Sequence, residues 1–502
     1  MIQLLKDKSN IMQAFWLGFG RLSSFALAFV SAAILSRFLS KEDYGTYKQI
    51  MYLYASFSLI FMAGLPETLT YFLPKLKKEE QKYLVLQFEI IFIFLGLLFS
   101  SCLYFGSSTI AEILNNPTLA DALKIYAPVP LLLMPTFTME SIYMNEHKSH
   151  YQAIYLIFSR FMVLCGITLP VIFYQASCQV ALHGLVFSSA CMLIVALFLI
   201  AKPYKGYHCQ RSHLNIRDVI GYSIPLLSAD FALMLFNSAD QFFISRYFGE
   251  AVFAEYSNGF IQFPLATMVS GSVLTVLIPM FSQANTTKKL NEAIRSWQNA
   301  IRKTCLLLYP ILVFCFFFAT EIVTFIYGKN YTCSAIYFQI ILISNLFNIY
   351  PFLPLLLALK KLKVYSSFYF LSALSIWVTE AIGIRLFSSP IAIACISITN
   401  TILLVVVFYL YIKRELQTTV FTSRILLFLS KVLFHSLLTA SLIYWSTSAF
   451  QESYPPLITL LMAFLLFYLV LVASSRLFGL NYMSILVHLF NSFTNKNHGR
   501  SN

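Results

Sequence analysis

Apolar stretches about as long as a bilayer's hydrocarbon core is thick recur along the whole chain, and that recurrence leaves little choice of fold. A helix needs ~20 mostly apolar residues to cross, advancing ~1.5 Å per residue through a core ~30 Å thick. Fourteen such stretches can be placed, near 11–35, 44–72, 84–105, 119–143, 151–174, 180–201, 219–244, 252–282, 304–327, 335–359, 364–387, 390–412, 425–447 and 456–475. The fourth, carrying Pro128, Pro130 and Pro135, is the least regular. Lipid offers no partner to backbone N–H and C=O groups, so such stretches are helices. The expected fold class is an all-α polytopic membrane protein with about 14 transmembrane helices. Composition excludes the alternatives: 59% of the 502 residues are apolar and 11% charged, against ~25% charge in soluble domains. A soluble enzyme, a disordered chain and a secreted disulfide scaffold all fall away. The nine cysteines are scattered through apolar runs, as at Cys102, Cys165 and Cys315, with no CxxC pair, and read as apolar filler. No cleavable signal peptide is read at the polar start, Met1 to Asn10.

The formal charge of +14 is then a record of topology. Lysines and arginines of both termini and the even-numbered loops number 26, those of the opposite side and its span ends seven, and two more (Arg21 and Arg160) lie within spans. The positive-inside rule sets both termini in the cytoplasm, and nucleic acid is not implied. Every connection is short. The longest, 283–303, reads as an amphipathic helix with Leu290, Ile294, Trp297 and Ile301 on one stripe. It is expected on the cytoplasmic membrane surface, although a helix packed under the bundle has the same pattern. After Arg476, the residues Leu477, Phe478, Ile485, Leu486, Leu489 and Phe490 fit a second interfacial helix before a polar end.

The chain also repeats itself. Ser36-Arg37-Phe38-Leu39-Ser40 matches Ser245-Arg246-Tyr247-Phe248-Gly249, and at the same offset of 209 Tyr44 falls on Phe253, Gly45 on Ala254 and Tyr47 on Tyr256. The fourth and tenth spans are both proline-broken, the tenth by Pro351 and Pro354. Six spans per repeat give parallel topology about an axis along the membrane normal. The expected division is an N-lobe at 1–205, a C-lobe at 206–415, two extra spans at 416–478 and a cytoplasmic tail at 479–502.

With that architecture the outer turn Leu35-Ser36-Arg37-Phe38-Leu39-Ser40-Lys41-Glu42-Asp43-Tyr44-Gly45-Thr46-Tyr47 resembles that of bacterial polysaccharide flippases. These belong to the multidrug/oligosaccharidyl-lipid/polysaccharide (MOP) superfamily. Gly64-Leu65 running into Tyr71-Phe72-Leu73-Pro74, and Leu277-Ile278-Pro279, are similar to the same family. The resemblance covers essentially the whole chain. It implies a MATE-like pair of lobes and a flippase that moves an undecaprenyl-pyrophosphate-linked oligosaccharide across the bacterial inner membrane, for O-antigen, capsule or exopolysaccharide. The implied partners are that lipid-linked oligosaccharide, membrane lipid, a polysaccharide polymerase and a chain-length regulator.

Charge within spans is scarce and costly, ~2.5–3.5 kcal/mol per residue at mid-bilayer, so the few cases point to a site. The offset carries Arg21 of the first span onto Asp230 of the seventh, and the resemblance implies that these two helices line the central cleft. Asn237 and Gln241 follow Asp230 close to one helical face. Two readings stand: Arg21 binds substrate phosphate with Asp230 as counter-ion or proton site, or the two form a structural pair tying the lobes. Arg160 of the fifth span is a further candidate for the cavity. Asp230 and Asp240 are candidates for ion coupling. The equivalent Arg37 and Arg246 stand at the outer mouths, to meet the head group or to bind lipid phosphate and helix carbonyls. Glu140 and Glu380 are read as structural. No GxGxxG, P-loop, HExxH or GxSxG occurs, so no cofactor, metal or enzymatic site is expected. His147 and His150 read as a solvated turn. With no ATP site in the sequence, the membrane potential is one source of drive, each negative charge moved outward gaining ~2.3 kcal/mol per 100 mV, and proton or sodium coupling through Asp230 or Asp240 is the other.

Three other functions compete. A cation-coupled multidrug exporter of this superfamily carries an acid in the first span, whereas Ile11 to Leu35 holds only Arg21. A lipid II flippase tends to carry several cavity arginines. A membrane polysaccharide polymerase needs a sizeable outer loop, and none here exceeds about a dozen residues by these boundaries.

Overall fold

The computed structural model describes residues 2–212, 214, 216–261, 263–282, 287–416, 421–448 and 455–482. Among them the regular elements are helices and no strand occurs. Twelve helices are long and apolar enough to cross a membrane, and a bent pair makes a thirteenth. The remaining expected span, the tenth, is the short apolar helix Ser334–Phe347, followed beyond Pro351 by Leu353–Ala358. All fourteen expected positions are therefore helical.

The departures from regularity have local causes. The second span is the pair Lys41–Met62 and Leu65–Lys75, bent by 42°. Ala63 and Gly64 between them both take left-handed backbone conformations, and Pro66 opens the next turn. At its start, Ser40 accepts the Asp43 amide at 3.0 Å, and Glu42 and Asp43 sit on the positive end of the helix dipole. The fourth span is a succession of short helices through its prolines, joined by a 3₁₀ turn at Met134–Phe137. The Leu131 amide donates to Ser100 Oγ of the third span at 3.2 Å, so a neighbouring helix satisfies part of the broken backbone. Between Ile216 and Gly259 two helices meet at a non-helical kink at Gly249 (φ 81°). The part before the kink is the seventh span, and the part after it opens the eighth, which continues as Pro264–Ser282.

The structure corrects the placement of the amphipathic segment. Thr287–Phe317 is one helix, continuous with the ninth span, and the stripe faces protein. Trp297 and Ile301 are buried, and Trp297 Nε1 donates to the Pro351 carbonyl at 2.8 Å. Its indole N–H needed an acceptor once buried, and the proline-broken tenth span supplies one. The interfacial helix expected at Ile485, Leu486, Leu489 and Phe490 lies outside the described residues.

The chain packs as two compact units, Met1–Ser257 with Ile376–Ile393, and Asn258–Ser375 with Ala394–Asn502. The first holds spans one to seven and the stretch joining the eleventh to the twelfth. In the second, the last two spans are tied by His435, whose ring nitrogens lie 3.0 Å from Tyr482 OH and 2.9 Å from Ser474 Oγ. Sequence repeat and packing unit are two different divisions of one chain.

Candidate functional site

Most of the candidate charged residues lie at three places in the first unit. At the innermost, Arg21 Nη2 lies 2.7 Å from Glu140 Oε1. Gly20, next to Arg21, lets the first span press on the fifth: an added Cβ there would stand 2.8 Å from Ala153 Cα. Glu140 stands on the helix Thr138–Asn145, whose Ser141 Oγ lies 3.0 Å from the Pro66 carbonyl and 2.8 Å from Thr70 Oγ1. The second span thereby brings Glu67 into the same region, and Glu67 is the charged neighbour of Asp230. Arg21 is thus paired with Glu140, while Glu67 of the second span stands near Asp230.

Arg21 therefore has Glu140 as its counter-ion, where the sequence offset pointed to Asp230, and Glu140 belongs to the site. The side chains of Arg21 and Glu140 are 64% and 40% exposed. An ion pair that open within a span belongs against water, because lipid contact carries the full cost of an intramembrane charge. Asp230 is half-buried, Asn237 exposed and Gln241 half-buried, with Gln241 Nε2 donating to the Asn237 carbonyl at 3.2 Å. Ser238, Ala239 and Asp240 turn inward, so the polar stripe survives on one face of the seventh span. Arg160 is exposed, seven residues or about 10 Å along the fifth span from Ala153. Its neighbours are Tyr47 and Tyr54 of the second span.

The second place is a pair of buried carboxyls. Asp240 Oδ2 accepts from Tyr256 OH at 2.6 Å and Oδ1 from the Gln241 amide at 2.7 Å. Its charged neighbour is Glu380, which is fully buried and has no hydrogen-bond partner on either carboxyl oxygen among the described residues. The eleventh span reaches this point because Trp377, one turn earlier, donates to the Leu235 carbonyl at 2.9 Å.

The third place is a seam between the second span and the residues on either side of the Gly249 kink, where the seventh span ends and the eighth begins. Lys41 Nζ meets Glu255 Oε1 at 2.5 Å, and Gln49 Nε2 donates to Ser245 Oγ at 2.8 Å. Asn116 Nδ2 holds Gln49 Oε1 at 2.6 Å, while a Cβ on Gly45 would lie 2.0 Å from the Glu250 carbonyl oxygen. Here the two copies of the repeated outer turn meet. Arg246 donates to the Ile113 carbonyl, the last residue of the helix Ser107–Ile113, so of its two expected roles the carbonyl contact is the one present. Arg37 is exposed. At the other end of the second span, Tyr71 stacks on Tyr222 at 4.4 Å and Ser223 Oγ donates to the Ala63 carbonyl.

The sequence profile of a family described as "Polysaccharide biosynthesis protein" matches residues 34–336, which include the outer turns and most of the charged residues above. The chain belongs to that family. No curated protein matches it. Among solved structures, the chain resembles lipid II flippase MurJ in an inward closed conformation, at TM-score 0.68 and 17% identity over 93% of this chain and 99% of that one. An inward-facing multidrug resistance MATE family transporter of the MOP superfamily follows at TM-score 0.60 and 9% identity, over 79% and 96% of the two chains. A third, a MOP superfamily transporter from Pyrococcus furiosus described as having a binding pocket of reverse polarity, gives 0.58 and 9% over 83% and 97%. At such identities the likeness is one of fold: this polysaccharide biosynthesis protein is a multi-pass membrane protein with a MurJ- and MATE-like helical architecture.

Proposed function

We propose that the chain is a flippase carrying an undecaprenyl-pyrophosphate-linked oligosaccharide repeat unit from the cytoplasmic to the outer leaflet of the bacterial inner membrane. The mechanism is alternating access of two six-span lobes, residues 1–205 and 206–415, with both termini in the cytoplasm. The observation that carries this reading is Arg21, an exposed guanidinium inside a span of a polysaccharide biosynthesis protein. Arg21 takes the diphosphate, the stripe of Asp230, Asn237 and Gln241 offers partners to sugar hydroxyls, and Arg160 is the next cation toward the outer side. Arg37 meets the leaving head group, and Arg246, on the Ile113 carbonyl, holds the neighbouring turn. Glycosyltransferases supply the substrate, and a polymerase with its chain-length regulator consumes it.

A second reading, a cation-coupled multidrug exporter, draws on the carboxyls within spans, Glu140 beside Arg21 and Glu67 beside Asp230. The two separate in a strain depleted of the protein. Restored arrival of lipid-linked glycan in the outer leaflet supports the flippase, and restored dye efflux without it supports the exporter.

Coupling fits the Asp240–Glu380 pair. Burying an ionised carboxylate without compensation costs several kcal/mol, so a group like Glu380 is stable with a proton or a monovalent cation on it. Glu380→Gln, which keeps the shape and cannot ionise, is expected to make flipping in proteoliposomes indifferent to an imposed proton or sodium gradient. If wild type and variant respond alike to both gradients, the coupling site lies elsewhere.

A further inference from the structure

We propose that Glu140 is a built-in competitor for Arg21, one that reserves the guanidinium for a multiply charged diphosphate and keeps the singly charged phosphodiester of bulk phospholipid off it. The inference rests on the reading of the protein as a flippase of a diphosphate-linked lipid. Any cationic site open to a bilayer faces a selectivity problem, since anionic phospholipid is present in great excess over a carrier lipid. A bare arginine would be occupied by the commoner head group.

The geometry supplies a remedy. The Glu140 carboxylate sits 2.7 Å from Arg21 Nη2, and its helix is held in place by the bonds of Ser141 to Pro66 and Thr70. A tethered competitor acts at high effective concentration. A single phosphodiester charge offers the guanidinium about what Glu140 already gives, so exchange gains little. A diphosphate brings more charge and can accept from both arms of the guanidinium fork, so it displaces the carboxylate. The displaced Glu140, 40% exposed, is left in contact with water.

The test uses the full chain in nanodiscs of neutral lipid, with undecaprenyl diphosphate and phosphatidylglycerol as probes and bound lipid counted by native mass spectrometry. Wild type is expected to prefer the diphosphate strongly. Glu140→Gln should bind both lipids roughly tenfold more tightly, because each must displace the same carboxylate, so that phosphatidylglycerol, sparse on wild type, becomes well occupied. Glu140→Ala should do the same, since the charge and not the shape is the competitor. Arg21→Gln should lose both lipids. Unchanged phosphatidylglycerol affinity in both Glu140 variants, or weakening of both lipids, overturns the proposal while loss in Arg21→Gln still upholds the flippase reading. Diphosphate binding that survives Arg21→Gln, or is absent from wild type, overturns both.

Discussion

Arg21→Gln is expected to slow the outward movement of a lipid-linked glycan by roughly 100-fold, with the protein still folded in the membrane. Truncating one partner of a desolvated charge pair costs about 2–5 kcal/mol, and 100-fold corresponds to the lower part of that range. The lower part is the appropriate one, because Arg21 is 64% exposed before substrate arrives and gives up only part of its hydration. Arg21→Lys should recover about tenfold of the loss, keeping the charge and forfeiting the fork. Fluorescent lipid-linked glycan in proteoliposomes, with a quencher on the outer side, measures both. Exchanging the partners, Arg21→Glu with Glu140→Arg, decides between function and scaffold. A structural pair tolerates the exchange, whereas a phosphate-binding guanidinium does not, since it moves to another helix. Full transport in the exchanged protein would therefore sink the assignment.

The layout of the fold was legible in the sequence because membrane crossing is a local property of some twenty residues. All fourteen stretches are helices, and even the irregularity at Pro128, Pro130 and Pro135 stands where those residues lie. Pairing was not legible. Arg21 and Glu140 are 119 residues apart, and nothing local distinguishes Glu140 from an acid at a span end. The offset of 209 relates Arg21 to Asp230 by equivalent position, and equivalence under a repeat is not contact. Glu380 escaped for the same reason: its significance lies in having Asp240 as neighbour and no hydrogen-bond partner of its own. The amphipathic stripe at Trp297 illustrates a real degeneracy, because a helix face that suits a lipid surface equally suits another helix. Only the Pro351 carbonyl at the indole N–H separates the two.

The second span touches the seventh at both of its ends, and the two contacts differ in chemistry. At one end lie the Tyr71–Tyr222 stack and the Ala63–Ser223 bond. At the repeated turn, on the outer side by the charge count, lie the Lys41–Glu255 pair and the Gln49–Ser245 bond. A carrier that opens outward must part the latter, so the seam has to be tight enough to seal and loose enough to break. Gly45 sets that balance. An added Cβ would stand 2.0 Å from the carbonyl oxygen of Glu250, and because the obstacle is backbone, no side chain can swing aside to make room. Gly45→Leu is accordingly expected to hold the seam open and to cut transport by on the order of 100-fold, the cost of a two-state cycle biased by about 3 kcal/mol toward one state. Ser245, fully buried in the seam, reports the change. The background replaces the exposed cysteines Cys102, Cys209, Cys333 and Cys395 by serine. In it, Ser245→Cys should resist a membrane-impermeant maleimide added from outside, and react once Gly45→Leu is present. No change at Glu250's own side chain should restore transport, since the carbonyl remains. Equal labelling with and without the leucine, at unchanged transport, would mean that the seam is a static contact and that the outer gate lies elsewhere.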